Sequence, residues 1–186
     1  MLILAGLCFA LPFVTVSCST PGGYGRALAG GTTTYNGVDL AVGGRPDVSP
    51  PDKLAPVADQ HEDRLPPQPT AIIVLILIAS GTGAAIVLTD RRARRGTVAL
   101  IGGVAATALL VNQALAQSEI TLRVGEQVSL VAPGTNPRQY VNTGVGFVIC
   151  LFLLLAAALV NAIGWWRTRP RPALVEGRPR GEEVEA

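Results

Sequence analysis

Hydrophobic positions in this chain gather into four uncharged runs, and the polar stretches between them set how the runs connect. Two of the runs, residues 71–89 and 97–116, are 19 and 20 residues long. At 1.5 Å per residue, each can cross a hydrocarbon layer of about 30 Å as a helix. Between them, residues 90–96 hold Arg91, Arg92, Arg94 and Arg95. Lysine and arginine in short loops resist translocation, so this turn is expected in the cytoplasm, with the two runs forming a helical hairpin. A later run, residues 141–166, has Tyr140 before it and Trp165-Trp166 at its end, the aromatic flanks of a membrane helix. Arg167, Arg169 and Arg171 follow as a second cytoplasmic signal, at the start of a tail (residues 167–186) that the prolines and acidic end predict to be disordered.

The first run, residues 1–17, is at the short end for spanning and contains Pro12, which kinks it or begins an irregular outer end. It is expected as a first transmembrane helix, with two alternatives. A secretory signal peptide would lack its basic n-region. A lipoprotein signal would make Cys18 the lipidated residue; Val16 and Ser17 suit it, while Thr15 replaces the usual aliphatic residue. A start further upstream would account for the short span and the missing basic flank. All three readings put Cys18 onward outside the cell.

Residues 18–70 then form an extracytoplasmic loop. Thr32-Thr33-Thr34-Tyr35 and Val38–Val42 flank Asn36-Gly37, which predicts a hairpin over about residues 31–42 with a type I′ turn. Seven prolines among residues 45–69 predict an extended linker. His61-Glu62-Asp63 within it has no metal-binding spacing, since position 65, where a second histidine would be needed, is Leu65. Residues 117–140 are the second outer loop. Ile120, Leu122 and Val124 alternate with polar residues, then Gly125-Glu126, then Val128 and Leu130, which predicts another hairpin over about residues 119–132. Isolated hairpins are marginal in water, so the two are expected to join. The predicted fold class is an all-α membrane protein of four transmembrane helices, with a small extracytoplasmic β-cap from two hairpins.

Small residues four apart, Gly81 with Ala85 and Gly102 with Ala106, are suited to close helix packing in lipid, most simply between the second and third helices. Asn112 and Gln113, near the outer end of the third, are expected to hydrogen-bond a neighbour or reach water. Composition agrees with a membrane protein: 49% hydrophobic, mean hydropathy +0.41, and 15% charged against about 25% in soluble domains. The net charge of +2 says little as a sum; the arginines flank membrane segments, which argues against nucleic-acid binding. The dominance of arginine over lysine, with abundant alanine and glycine, fits a high-GC, actinobacterial-type composition. Cys8, Cys18 and Cys150 show no redox or metal spacing.

Leu11-Pro12-Phe13 leading to Val16-Ser17-Cys18, and then Tyr35-x-Gly37-x-Asp39-Leu40-x-x-Gly43, resemble a pattern of bacterial multipass membrane proteins to which no activity is assigned. The resemblance implies a membrane topology and no chemistry. No nucleophile–base pair, phosphate loop or metal-ligand set is present, so no catalytic residue, cofactor or metal is expected. The leading expectation is a non-catalytic plasma-membrane protein with its C-terminus in the cytoplasm, an accessory subunit whose partners are the bilayer and other envelope proteins or itself. The alternative is a small channel or transporter component formed by oligomerisation around Ser80, Thr82, Thr107 and Asn112, although ion pathways usually need ionisable groups at membrane depth.

Overall fold

Pro12 divides the first apolar run into a helix and a strand. In the computed structural model, which describes residues 1–17, 27–51, 65–131, 134 and 136–168, helix α1 spans Leu2–Leu7 and tightens into a 3₁₀ turn at Cys8–Ala10. Proline has no amide hydrogen, and its ring would strike the carbonyl four residues back. It also drives the preceding residue out of the helical region, and Leu11 is extended at φ −90°, ψ 163°. Val14, Thr15 and Val16, β-branched, continue as strand β1, Pro12–Ser17. The single helix expected over residues 1–17 is therefore corrected to a short helix followed by a strand.

β1 is an inner strand of a four-stranded antiparallel sheet. With β2 (Ala27–Asn36), β3 (Asp47–Pro51) and β4 (Val141–Thr143), the order is β3-β2-β1-β4. Val14 pairs with Tyr35 and Val16 with Thr33, and all four side chains are fully buried. The sheet thus exists, but neither predicted hairpin builds it. Asn36-Gly37 begins helix α2, Gly37–Val42, instead of a type I′ turn. Asn36 Oδ1 accepts the Asp39 N–H at 2.7 Å, and the Asp39 carboxylate accepts the Asn36 N–H at 3.3 Å, a reciprocal cap. A type I′ turn would need positive φ at Gly37; among the described residues only Gly43 and Gly134 have it. Gly37 is required for space, since a Cβ there would stand 2.8 Å from the Phe9 ring. Gly43, at φ +73°, closes α2 in the left-handed conformation. Part of the expected linker, Asp47–Pro51, is β3, and the group at His61 lies outside the described residues.

Helix α3 is Pro69–Val87, close to its expected bounds, with proline at its start where no N–H is needed. The basic turn is shorter than predicted. Asp90 accepts N–H bonds from Arg92 and Ala93, both at 3.1 Å, and helix α4 begins at Arg91, so the four arginines lie on its first turns. Those N–H groups, Ala93 first, hold the Asp90 carboxyl below its ordinary range.

α4 runs from Arg91 to Val131, 41 residues or about 60 Å at 1.5 Å each, twice the thickness of a hydrocarbon core. This overturns the hairpin at 119–132. Ile120 and Val124 alternate with polar residues, but they are also four apart, and both are buried on one helix face. Leu122 falls on the other side, 67% exposed. Arg123 bridges Glu119 at 3.0 Å across one turn. Extending a helix already formed in the bundle needs no new nucleus, so these pairs suffice. Residues 141–143 belong to β4, and helix α5 is Val145–Arg167.

Among the described residues, three helices, α3, α4 and α5, are long and apolar enough to cross a membrane. One apolar core joins them to α1 and the sheet, and where they meet Phe13 is tilted against Phe9 at 5.0 Å and set edge-to-face with Phe147 at 6.2 Å. The approach there is close: a Cβ on Gly146 would lie 2.7 Å from Leu11 Cβ and 2.8 Å from the Pro12 carbonyl oxygen. Gly146→Ala is expected to cost about 1–3 kcal/mol by overpacking. Gly83→Ala, with nothing within 4 Å, is expected to be neutral or to gain up to about 1 kcal/mol in helix propensity. Denaturant titration in detergent compares the two; equal effects would mean that the junction can yield.

Burial raises the Asp39 carboxyl above its ordinary value, opposed by the Asn36 N–H and reinforced by Asp47. The folded chain therefore keeps this proton to higher pH than the unfolded one, and the associated stability, complete below the ordinary aspartate value, is lost as pH rises through the raised one. Melting at about pH 4 and about pH 7 is expected to show this decline in the wild type, with a smaller decline in Asp39→Asn. Identical pH profiles would rule out the Asp39 contribution.

Candidate functional site

α4 carries a series of amide side chains, each tied to a different element. Asn112 is fully buried and its Oδ1 accepts the Thr70 hydroxyl of α3 at 2.7 Å. Gln113, also buried, donates from Nε2 to the Phe13 carbonyl of β1 at 3.3 Å. The same carbonyl accepts the Gly144 N–H at 2.7 Å, just before α5 starts. One turn further out, Gln117 Nε2 donates to the Thr143 hydroxyl of β4 at 2.7 Å. Gln68, ahead of α3, has a buried side chain and donates its backbone N–H to the Leu40 carbonyl of α2 at 2.8 Å. Together these bonds fasten a head of sheet and α2 to the helices.

Among the described residues, Gln68 Oε1, Asn112 Nδ2 and Gln113 Oε1 have no partner. Amides do not titrate near neutral pH, so the cluster orients and supports and does not move protons. Asn112 and Gln113 stand out in the sequence as amides within an apolar run. Gln68 does not, because prolines surround it and its burial depends on the fold of α2.

Beyond this level, α4 leaves a groove of about 540 Å³ between itself and the segment leading into β4. Gln117, Thr121 and Leu122 form one wall, and Arg138 and Val141 the other. The free edge of the sheet is less open to pairing: β3 contains Pro50 and Pro51, which have no N–H to offer, and Asp47.

The predicted packing residues lie on several contacts. Gly81 faces α4 and α1, where a Cβ would meet Ile101 and Leu2 at 3.0 Å. Gly102 faces α5, not α3, with Ala158 Cβ at 3.4 Å. Ala106 is buried and Ala85 borders the core. Of the topology arginines, Arg91, Arg92, Arg94 and Arg95 share the end away from the sheet with Arg167, and Arg95 Nη1 donates to the Gly164 carbonyl at 3.2 Å. Arg169, Arg171 and Cys18 lie outside the described residues. Ser80, Thr82, Thr107 and Asn112 do not converge within one chain. Ser80 and Thr107 are exposed, Thr82 and Thr107 bond carbonyls of their own helices, and Asn112 is enclosed.

Comparison with protein families, curated proteins and solved structures finds no match to this chain.

Gln113→Leu removes one of the two donors to the Phe13 carbonyl. It is expected to cost about 1 kcal/mol and to speed hydrogen exchange at the Gly144 amide, with the middle of α3 unchanged. Exchange that stays unaltered at Gly144 would show that the amide does not hold the head.

Proposed function

We propose that this chain is a non-catalytic plasma-membrane subunit that holds a rigid head outside the cytoplasm for contact with another envelope protein. The observation that carries the reading is the groove of about 540 Å³ beside the outer part of α4, where Leu122 stands 67% exposed next to Arg138. Arginine is enriched at protein interfaces and their fully buried centres are more apolar than the rest of the surface, features that Arg138 and Leu122 bring to the groove. The head is tied to the bundle by Gln113, Gln117 and the Gly144 N–H, so a partner docked there would be held at a fixed position over the membrane.

The orientation follows from charge. Arg91, Arg92, Arg94, Arg95 and Arg167 gather at the end opposite the sheet, which the positive-inside tendency assigns to the cytoplasm. In this arrangement α1 is a short fourth element beside three spanning helices, the sheet and the end of α4 form the extracytoplasmic cap, and the C-terminus is cytoplasmic. The residues resembling the bacterial multipass pattern, from Leu11 and from Tyr35, belong to that cap.

Two measurements test the reading. In a Cys18→Ser background, a membrane-impermeant maleimide is expected to label Leu122→Cys in intact cells and Thr168→Cys only after permeabilisation; the reverse pattern overturns the orientation. A photo-crosslinking residue at position 122 is expected to form a discrete adduct with another membrane protein. The adduct should be lost on Arg138→Glu and absent when the probe replaces Val38. Adducts equally strong at both positions would remove the groove from the proposal.

A further inference from the structure

At the opposite end of the bundle from the head, a crevice of about 340 Å³ opens between α1, α3, α4 and α5. Its walls are largely apolar, with Leu2, Ile86, Val98 and Ala157, and three polar residues stand among them, Arg94, Asn161 and Thr82, whose hydroxyl donates to the Ile78 carbonyl of its own helix at 2.8 Å. Ile86 is 78% exposed, so the crevice opens sideways onto the surface that faces lipid.

Arg94 differs from its neighbours. Arg91 and Arg92 are exposed, and Arg95 is bonded to the Gly164 carbonyl. Arg94 is half-buried and makes no ion pair or side-chain hydrogen bond with a described residue. A guanidinium partly removed from water gains most from a bidentate anion such as a phosphate or carboxylate. Asn161 uses its Nδ2 on the Ala157 carbonyl at 2.8 Å, which leaves Arg94 as the charged donor of the crevice.

We propose that this crevice is a binding site for an anionic phospholipid. The phosphodiester would sit at Arg94, with the headgroup toward the cytoplasm and an acyl chain running inward along Leu2 and Ile86. The chemistry needs both parts. A free anion would leave the apolar walls unfilled, and a zwitterionic lipid would bring its own ammonium to compete with Arg94 for the phosphate. Basic pockets between membrane helices at the interface are suited to such headgroups. The proposal concerns a different face from the groove on the head and is independent of the head's partner.

Native mass spectrometry of the full chain in detergent tests this, with phosphatidylglycerol, phosphatidylcholine and inorganic phosphate as probes. Phosphatidylglycerol is expected to bind in preference to the other two. Arg94→Gln is expected to weaken it about fivefold, the equivalent of the roughly 1 kcal/mol assigned to one basic residue beside an anionic lipid. Arg91→Gln should leave binding unchanged. Ile86→Trp, a change at an exposed position that fills the mouth of the crevice and keeps the charge, should weaken it as well. Melting of each variant without lipid checks that the fold is retained. Equal losses for Arg94→Gln and Arg91→Gln would overturn the site in favour of diffuse attraction. Full binding in Ile86→Trp, or displacement of the lipid by inorganic phosphate, would overturn the seated lipid.

Discussion

The carbonyl of Phe13 accepts from two directions, the Gly144 backbone ahead of α5 and the Gln113 side chain of α4. A chain that leaves a helix at the end of a membrane bundle must satisfy backbone groups that the helix no longer satisfies. Here Pro12 forces that exit and β1 resolves it. One edge of β1 pairs with β2 and the other with β4, so its backbone is covered where it passes under the head. The absence of side chains at Gly144 and Gly146 lets α5 start directly against this segment. The head is therefore continuous with the bundle, and the same residues form the floor of one and the roof of the other.

The length of α4 follows from this arrangement. A helix ending at the membrane surface would stop near residue 116 and could not reach β4. By continuing, α4 brings Gln117 to Thr143 and places Ile120 and Val124 in the core. It covers the end of the sheet at β4 while leaving a groove between the two. Of the two sheet edges, β4 is thus shielded by a helix and β3 carries proline, a combination that discourages pairing with a second chain along the strands. A partner approaching the head meets side chains in a groove in preference to an open backbone edge.

The apolar parts of the three long helices were legible from composition and length, because burial in lipid requires an uncharged stretch of a set size, whereas the outer part of α4, beyond residue 116, was not. The head was legible only in part. Period-two alternation at 120, 122 and 124 fits a strand, yet Ile120 and Val124 also satisfy the four-residue helical spacing. The deciding fact, that a formed helix already points into the segment, is not local. Asn36-Gly37 likewise suits a tight turn until Asp39 is recognised as the partner in a capping box, since Asn-x-x-Asp can close a helix start. Pro12 was visible as a break, but its consequence, a strand, depends on partners more than 100 residues away in β4. The amide cluster was half legible: an amide in an apolar run is conspicuous, while Gln68 becomes a buried group only once α2 packs over it.

The stretches Leu11–Ser17 and Tyr35–Gly43, a short segment apart in sequence, meet in space. Val16 and Tyr35 lie on paired strands, and a Cβ on Gly37 would stand 2.8 Å from the Phe9 ring and 3.0 Å from that of Phe13, so a side chain there would displace them. Asp39 caps α2, Leu40 is fully buried and its carbonyl receives Gln68, and Gly43 closes α2 in the left-handed conformation against Pro67. Each position of the pattern that the structure describes thus has a packing or backbone role. None of these roles presents a reactive group to solvent. Together these residues build a joint between strand, helix and bundle, and the groove beside α4 lies on the surface that this joint supports and does not contain.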